Sequence, residues 1–480
     1  TYVVDHVGDQ ALEGAGAGID TVRASIAWTL GANLENLTLI GGQNLAGTGN
    51  AGNNVITGNS GDNQLLGGDG LDTLIGGGGD DLLDGGSNAD SFDGGAGFDT
   101  VTYAFAPSTA PVDVDLARGD MRFVGAATAL EAIVDVEGVI GGAGHDRLYG
   151  NAVANSLEGG DGNDQLYGRD GDDRLEGGAG VDALYGGDGD DWMSGGIGAD
   201  SFDGGAGVDT VSYAFANATS PVVVDLAAGI MRFPSSPTPI ESVVNVENVI
   251  GGGGQDQLFG DGGANMLDGG AGNDTLEGRG GDDRLEGSEG TDTLRGGDGN
   301  DWLSGGTGAD TFDGGAGIDT VSYAFATPGV VLNIDLALGG MRFGPGGPLV
   351  ETFTSIENAD GGQWTDTILG DAAANVLNGL EGDDVINGRG GNDVLTGGSG
   401  DDRFVFSAGS GNDAITDFTA GAGTDDWIDL AGIATLNSFA DILANSTQVG
   451  ADTVIDMGSG DALTLFDVTR TTLHQDDFVF

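Results

Sequence analysis

GGAGHDRLY at residues 141–149 is followed without a slip by GNAVANSLE, GGDGNDQLY, GRDGDDRLE, GGAGVDALY, GGDGDDWMS, GGIGADSFD and GGAGVDTVS, ending at Ser212. Each is a nine-residue unit of the form G-G-x-G-x-D-x-U-x, where U is a large apolar residue. A second run of eight spans Gly251 to Ser322, six fill Gly49 to Thr102, and five fill Gly361 to Val405. Chance does not hold a nine-residue phase for dozens of residues, so the repeat decides the architecture.

Each unit divides into a six-residue turn and a three-residue strand. Glycine at the first, second and fourth positions lets the backbone visit positive φ and approach a bound group closely. The eighth residue, as in Leu166, Leu175, Met193 and Phe202, is expected to point inward while its neighbours point out, with the period of two of a strand. The sixth residue is Asp72, Asp81, Asp90 and Asp99 in the first run, and Asp146, Asp164, Asp173, Asp182, Asp191, Asp200 and Asp209 in the second. It is Asp256, Asp274, Asp283, Asp292, Asp301, Asp310 and Asp319 in the third run, and Asp366, Asp384, Asp393 and Asp402 in the fourth. These are the candidate metal ligands. A carboxylate with turn carbonyls makes a hard, all-oxygen donor set, which suits calcium's preference for six to eight oxygens. Asn54, Asn63, Asn155, Asn265 and Asn375 take the sixth position in five units; they keep an oxygen but lose the charge, so weaker or empty sites are expected there. Solvated Asp-Gly turns without metal are the alternative for a single unit, and the sustained register argues against it.

The repeat resembles that of the RTX family, the secreted calcium-binding nonapeptide-repeat proteins. The resemblance implies an all-β fold, a parallel β-roll or β-helix solenoid with a C-terminal cap. It also implies that two nonapeptides make one winding, so that the turns of alternate units stack and share an ion. On that geometry the runs hold about 19 or 20 Ca2+. The family implies export through type I secretion machinery and a secreted, extracellular or cell-surface location.

Composition points the same way. The formal net charge is −63, from 77 acids against 14 bases, and every base is Arg. So much charge is self-repelling in a compact body, and 98 Gly raise the entropy lost on ordering. One thin apolar row per strand offsets little of this, so the chain is expected to be disordered without calcium and to fold as it binds. There is no Cys, hence neither disulfide nor thiol chemistry. No apolar run approaches the length that spans a bilayer, and so acidic a surface is a poor partner for nucleic acid. TYVVDHVGDQ at the start lacks an initiator Met and a signal-peptide pattern, and reads as mid-chain sequence of a fragment or processed form.

Above the nonapeptide lies a period of 110: ADSFDGGAGFDTVTYAFA at Ala89 returns as ADSFDGGAGVDTVSYAFA at Ala199 and ADTFDGGAGIDTVSYAFA at Ala309. The expected organisation is leading β windings (1–48), a calcium roll (49–102), a β segment without calcium (103–140), a roll (141–212), a second such segment (213–250), a roll (251–322), a third segment (323–360), a roll (361–405), and a C-terminal cap with secretion signal (406–480). In the leading windings Leu34, Leu37 and Leu39 are expected in the core. In the intervening segments Val101, Tyr103 and Phe105 are expected on one face, Val112, Val114 and Leu116 on another, and Met121 and Phe123 beside Arg122. They read as wider windings that continue the parallel stack; a separate globular insertion or an outward hairpin are the alternatives. Arg122, Arg232 and Arg342 recur at one phase and read as salt-bridge partners of nearby Asp. In the cap a short helix is expected at SFADILANS with Ser438 as N-cap, followed by a hairpin, DTVIDM-GSG-DALTLF. The closing DDFVF resembles type I secretion signals; a last β-strand is the plain alternative.

On the outer faces Tyr149, Tyr167 and Tyr185 are expected to form a ladder, and Arg174 and Arg284 to meet Trp192 and Trp302. Exposed aromatics of this kind suit self-association or a cell-surface glycan, or else pack side to side within the sheet. A catalytic reading finds little support. His6, His145 and His474 are scattered, H-E-x-x-H and G-x-S-x-G are absent, and no Lys or Cys offers a nucleophile. The expected function is therefore that of a non-enzymatic, secreted structural or surface element (S-layer, filament, matrix or adhesin stalk). The alternatives are the C-terminal secretion and folding module of an exported enzyme and, last, an ice- or glycan-binding solenoid.

Overall fold

In the computed structural model, which describes residues 1–16, 18–104, 110–214, 220–325, 329–344, 346–423 and 426–480, the nonapeptide phase becomes a stacking offset. Strand Gln165–Asp170 pairs in parallel with Ala183–Asp188, setting Leu166 opposite Leu184 and Tyr167 opposite Tyr185. Arg174–Gly180 pairs in the same way with Trp192–Gly198. Alternate nonapeptides thus belong to alternate sheets, and two of them complete one winding. The eighth residues meet between the sheets: Leu148, Leu166, Leu184 and Phe202 from one, Leu157, Leu175, Met193 and Val211 from the other, all buried. Burying a side chain of this size contributes about 1.5–3 kcal/mol, and with one such residue per strand the core is a ribbon only two side chains thick.

The fold is all-β, and each of its two compact units is a parallel β-solenoid. One comprises Thr1–Ala216 with Gly229–Val249, the other Asn217–Ala228 with Ile250–Phe480. The first unit opens on strands Tyr2–Val4, Thr21–Ala24, Asn36–Leu39 and Val55–Thr57, stacked in parallel in that order, with Leu34, Leu37 and Leu39 buried as expected.

The intervening segments differ from the expected wider parallel windings. In the first unit Val112–Asp115 and Asp120–Phe123 form an antiparallel hairpin, and Glu131–Val134 runs antiparallel to the second of these strands. The outer two pair in parallel with the roll, Glu131–Val134 with Ser91–Ala96 and Val112–Asp115 with Arg147–Tyr149. The hairpin therefore lies within the sheet, neither outward nor separate. The opposite sheet passes the segment without a gap, Thr100–Thr102 pairing directly with Gly138–Gly144. The second unit repeats this at Leu332–Asp335, Gly340–Phe343 and Glu351–Thr354. Alternation alone could not reveal the reversal, because parallel and antiparallel strands share the period of two. Val112, Val114, Leu116 and Met121 are buried, but Phe123, Phe233 and Phe343 are exposed. Phe105 lies outside the described residues; its third-copy equivalent, Phe325, is 66% exposed while Tyr323 is buried.

In the cap, helix Phe439–Asn445 starts at Ser438, whose side chain accepts from Asp441 N. The hairpin Asp452–Gly458 with Asp461–Leu465 follows. Phe478–Val479 closes the chain as a strand parallel to Trp427–Gly432.

Candidate metal centre: two columns of oxygen-rich turns

Stacked turns place the sixth-position side chains in two columns, one along each edge of the roll. Along one edge Asp146 N donates to Asp164 Oδ1 (2.7 Å), Asp164 N to Asp182 Oδ1 (2.8 Å), and Asp182 N to Asp200 Oδ1 (2.9 Å). Along the other, Asn155 N donates to Asp173, Asp173 N to Asp191 and Asp191 N to Asp209, at 2.7–2.9 Å. One carboxylate oxygen is thereby used. The other, Oδ2, is buried without a hydrogen-bond partner in Asp72, Asp81, Asp90 and Asp99, in all seven sixth-position aspartates of the second run, and in Asp274, Asp283, Asp292, Asp301, Asp310, Asp319, Asp384 and Asp393.

An orphaned, buried anionic oxygen is costly unless a cation meets it. Burial pushes these carboxyls up, to about 7 in Asp173, Asp182, Asp191, Asp274, Asp283 and Asp292 and to about 6 in Asp72, Asp146 and Asp319. Main-chain oxygens crowd the same space. A Cβ at Gly159 would lie 2.5 Å from Asp164 Oδ2 and 2.6 Å from the Gly177 carbonyl oxygen. At Gly162, with φ of 150°, it would fall on the carbonyl oxygen of Gly144 in the winding below. Only glycine permits this approach, and the result is a cradle of carboxylate and carbonyl oxygens that fits calcium. Among the described residues no three Asp, Glu or His side chains converge as a metal cluster.

The column heads are built differently. Asn155 Oδ1 accepts from Asn151 N in its own turn (2.7 Å), and its Nδ2 donates to the Glu137 carbonyl (3.1 Å). Asn54, Asn63 and Asn375 close their turns likewise, and Asn265 Oδ1 accepts from Asp261 N. Two of the aspartates expected as ligands, Asp256 and Asp366, are closed in the same manner, their Oδ2 accepting from Gly252 N and Gly362 N. Asp402 keeps the ladder bond from Asp384 N.

The column ends were not foreseen. Asp99 N, Asp209 N and Asp319 N donate not to another Asp but to Glu137, Glu247 and Glu357 Oε2, at 2.9–3.0 Å. At the other edge Glu131, Glu241 and Glu351 take the hydroxyl hydrogen bond of Tyr103, Tyr213 and Tyr323, and burial drives each of these carboxyls to about 8. Both glutamates return at a fixed phase in all three supermodules, the copies of the 110-residue period, a signal that a search for glycine turns passes over.

Arginine stands at the second, glycine position in three units. Arg169, Arg279 and Arg389 have φ of 86°, 76° and 66°. Each reaches a carboxylate in an earlier winding with both terminal nitrogens, Asp115, Asp225 and Asp335, at 2.7–3.0 Å. Each also donates to the carbonyl of a column head, Gly150, Gly260 or Gly370. Burial would raise Asp115 and Asp335, but the guanidinium hydrogen bonds outweigh it and hold both below the usual carboxylate range. Of the arginines singled out in the sequence, Arg122 pairs with Asp120 at 2.6 Å; positions 230 and 340 are Ile and Gly, so Arg232 and Arg342 lack that partner. His145 Nδ1 accepts from Asn163 N, whose Oδ1 accepts in turn from Val181 N; the other edge carries a matching fifth-position ladder of Asp172, Asp190 and Val208.

On the outer faces Tyr149, Tyr167 and Tyr185 stack with 4.7 Å between ring centroids. Arg174 and Arg284 lie 3.8 and 3.7 Å over the rings of Trp192 and Trp302.

A parallel β-roll with paired columns of glycine-aspartate turns defines a class of calcium-binding solenoid. The RTX calcium-binding nonapeptide repeat model matches at residues 48–74, 66–101, 140–175, 149–184, 176–211, 250–285, 286–321 and 365–404. The chain belongs to this family of RTX calcium-binding repeat proteins. No curated protein matches it. Among solved structures, the extracellular lipase LipA from Serratia marcescens aligns over 47% of this chain at 22% identity, with a TM-score of 0.19. This chain spans 40% of that lipase's length. Among the described residues no helix is long and apolar enough to cross a membrane.

Proposed function

We propose that the calcium-loaded roll is itself the working part of this protein, a secreted structural or surface element such as an S-layer, filament, matrix or adhesin-stalk component. The observation that carries this reading is the threefold recurrence of one 110-residue repeat, its columns ending each time on a glutamate, with the Asp115–Arg169 tie returning at Asp225–Arg279 and Asp335–Arg389. A unit repeated with such fidelity sets a length, which suits a spacer or lattice element. The sixth-position aspartates are the calcium ligands in this reading, with glycine carbonyls completing each shell. The closed column heads bring the number of ions below the roughly 19 that stacking alone would allow. The nine segments delimited in the sequence are its functional parts, and type I secretion followed by folding in extracellular calcium is its route. Contacts with a second copy of the chain or with a surface glycan fall to the exposed faces and ends.

Negative-stain microscopy of the purified chain in millimolar calcium and in chelator tests the proposal. Folded particles of uniform size, or their ordered assemblies, appear only with calcium if it is right. Featureless particles in both conditions overturn it.

A further inference from the structure

The first supermodule holds a cavity of about 300 Å³ on the outer face of one sheet. Its lining runs along two rungs of neighbouring strands: Gln64 and Leu82 on one, Leu66 and Asp84 on the other, with Thr48 and Thr102 at the ends. Asp84 lies outside the sixth-position columns. It is only 6% exposed, its Oδ1 accepts from Gly86 N (2.9 Å), and its Oδ2 has no hydrogen-bond partner.

The other two supermodules show what this place is shaped to contain. The same rungs carry Arg174, Glu176, Trp192 and Ser194 in the second, and Arg284, Glu286, Trp302 and Ser304 in the third. There an indole occupies the face, a guanidinium lies 3.7–3.8 Å above it, and a glutamate holds the guanidinium. The first copy replaces tryptophan by Leu82, arginine by Gln64 and glutamate by Leu66, and sets an aspartate where the others have serine. Ring and cation are both missing, while an unpartnered anionic oxygen has been added beneath apolar walls.

We infer that this cavity binds a small organic cation with a flat aromatic body, an aryl-alkyl ammonium whose ring lies over Leu66 and Leu82 and whose ammonium group donates to Asp84 Oδ2. Cavities of this volume lie at the lower end of the range that holds small ligands. A charge-assisted hydrogen bond to a buried carboxylate supplies the orientation.

Tryptamine is the probe, because it carries the indole of the sister copies together with the missing cation. Titration of the full calcium-loaded chain by calorimetry is expected to show one site, with Kd on the order of 100 µM. Indole-3-acetate, with the same ring and the opposite charge, is expected not to bind. Asp84→Ser, the residue of the sister copies, weakens tryptamine at least about tenfold; Leu82→Trp, which refills the cavity, abolishes binding. Circular dichroism in calcium checks that each variant folds, and if Asp84→Ser does not, Leu82→Trp decides. No binding by the unaltered chain at about 10 mM, three equivalent sites, or undiminished binding by a folded variant would each overturn the assignment.

Discussion

The two oxygens of each sixth-position aspartate do different work. In Asp182, Oδ1 accepts from Asp164 N and ties one winding to the next, while Oδ2 is left for a cation. Asn155 keeps the winding-to-winding tie through its own N–H but spends its side chain closing the turn. The two residue types therefore have opposite expected sensitivities. Asp182→Asn puts a donor where the cation belongs; it is expected to release at least one calcium per chain, counted by inductively coupled plasma spectrometry, and to weaken calcium binding by about tenfold or more. Asn155→Ala is expected to leave the calcium count unchanged while lowering stability by about 1–3 kcal/mol through lost hydrogen bonds, read from denaturant melts in saturating calcium. A calcium count that falls for Asn155→Ala and holds for Asp182→Asn would refute the division. Sequence made the Asp/Asn contrast legible, but not its cause, because closure depends on carbonyls supplied by the preceding winding.

At the scale of elements, the roll was legible because its signals are local: glycine at fixed offsets, one apolar residue per strand, and a strict count of nine. The intervening segments were only half legible. Their buried faces at Val112, Val114 and Met121 follow from alternation, but the antiparallel order of the hairpin depends on pairing partners, which a single strand does not encode. The glutamates that end the columns stand nine residues before Asp146, Asp256 and Asp366, but in segments without the glycine turn that marks a repeat, and the arginines at a glycine position depart from the repeat. Arg389 shows what the departure does. Its φ is 66°. Replacing it by Gly would restore the residue that tolerates this left-handed backbone, a gain of about 1 kcal/mol. It would also strip Asp335 of its bidentate partner and Gly370 of a donor. Leaving a largely buried carboxylate without its cation costs about 3–5 kcal/mol when burial is complete, and less here because the guanidinium is partly exposed. Arg389→Gly is therefore expected to destabilise the calcium-loaded protein by about 1–2 kcal/mol. Double-mutant analysis with Asp335→Asn measures the tie itself: the two losses overlap if the ion pair carries the effect, and add if it does not.

For the whole molecule, charge sets the conditions under which the fold exists. The chain carries a formal −63, and its columns bury carboxyls whose folded-state pKa rises from 3.8 to about 6 or 7. The sign is opposite to that of a salt-bridged carboxylate. Between about pH 4 and pH 7 the folded, metal-free chain holds more protons than the unfolded one, so its stability is greatest in acid and falls as pH rises through that window. Above it the columns are charged, and only cations offset the repulsion. In chelator at pH 8, far-UV circular dichroism should show a disordered chain; acidification toward pH 5 should bring back part of the strand signal without metal. Millimolar calcium at pH 8 should bring back all of it. Protons and calcium compete for the same oxygens in the folded chain, but the unfolded chain binds almost no protons there above about pH 6, so the calcium needed for half-folding is expected to fall slightly, not rise, as pH drops from 7 to 6. A strand signal in chelator that stays constant from pH 5 to pH 8 would mean that the acidic columns do not govern folding, and the coupling of metal to structure would have to be given up.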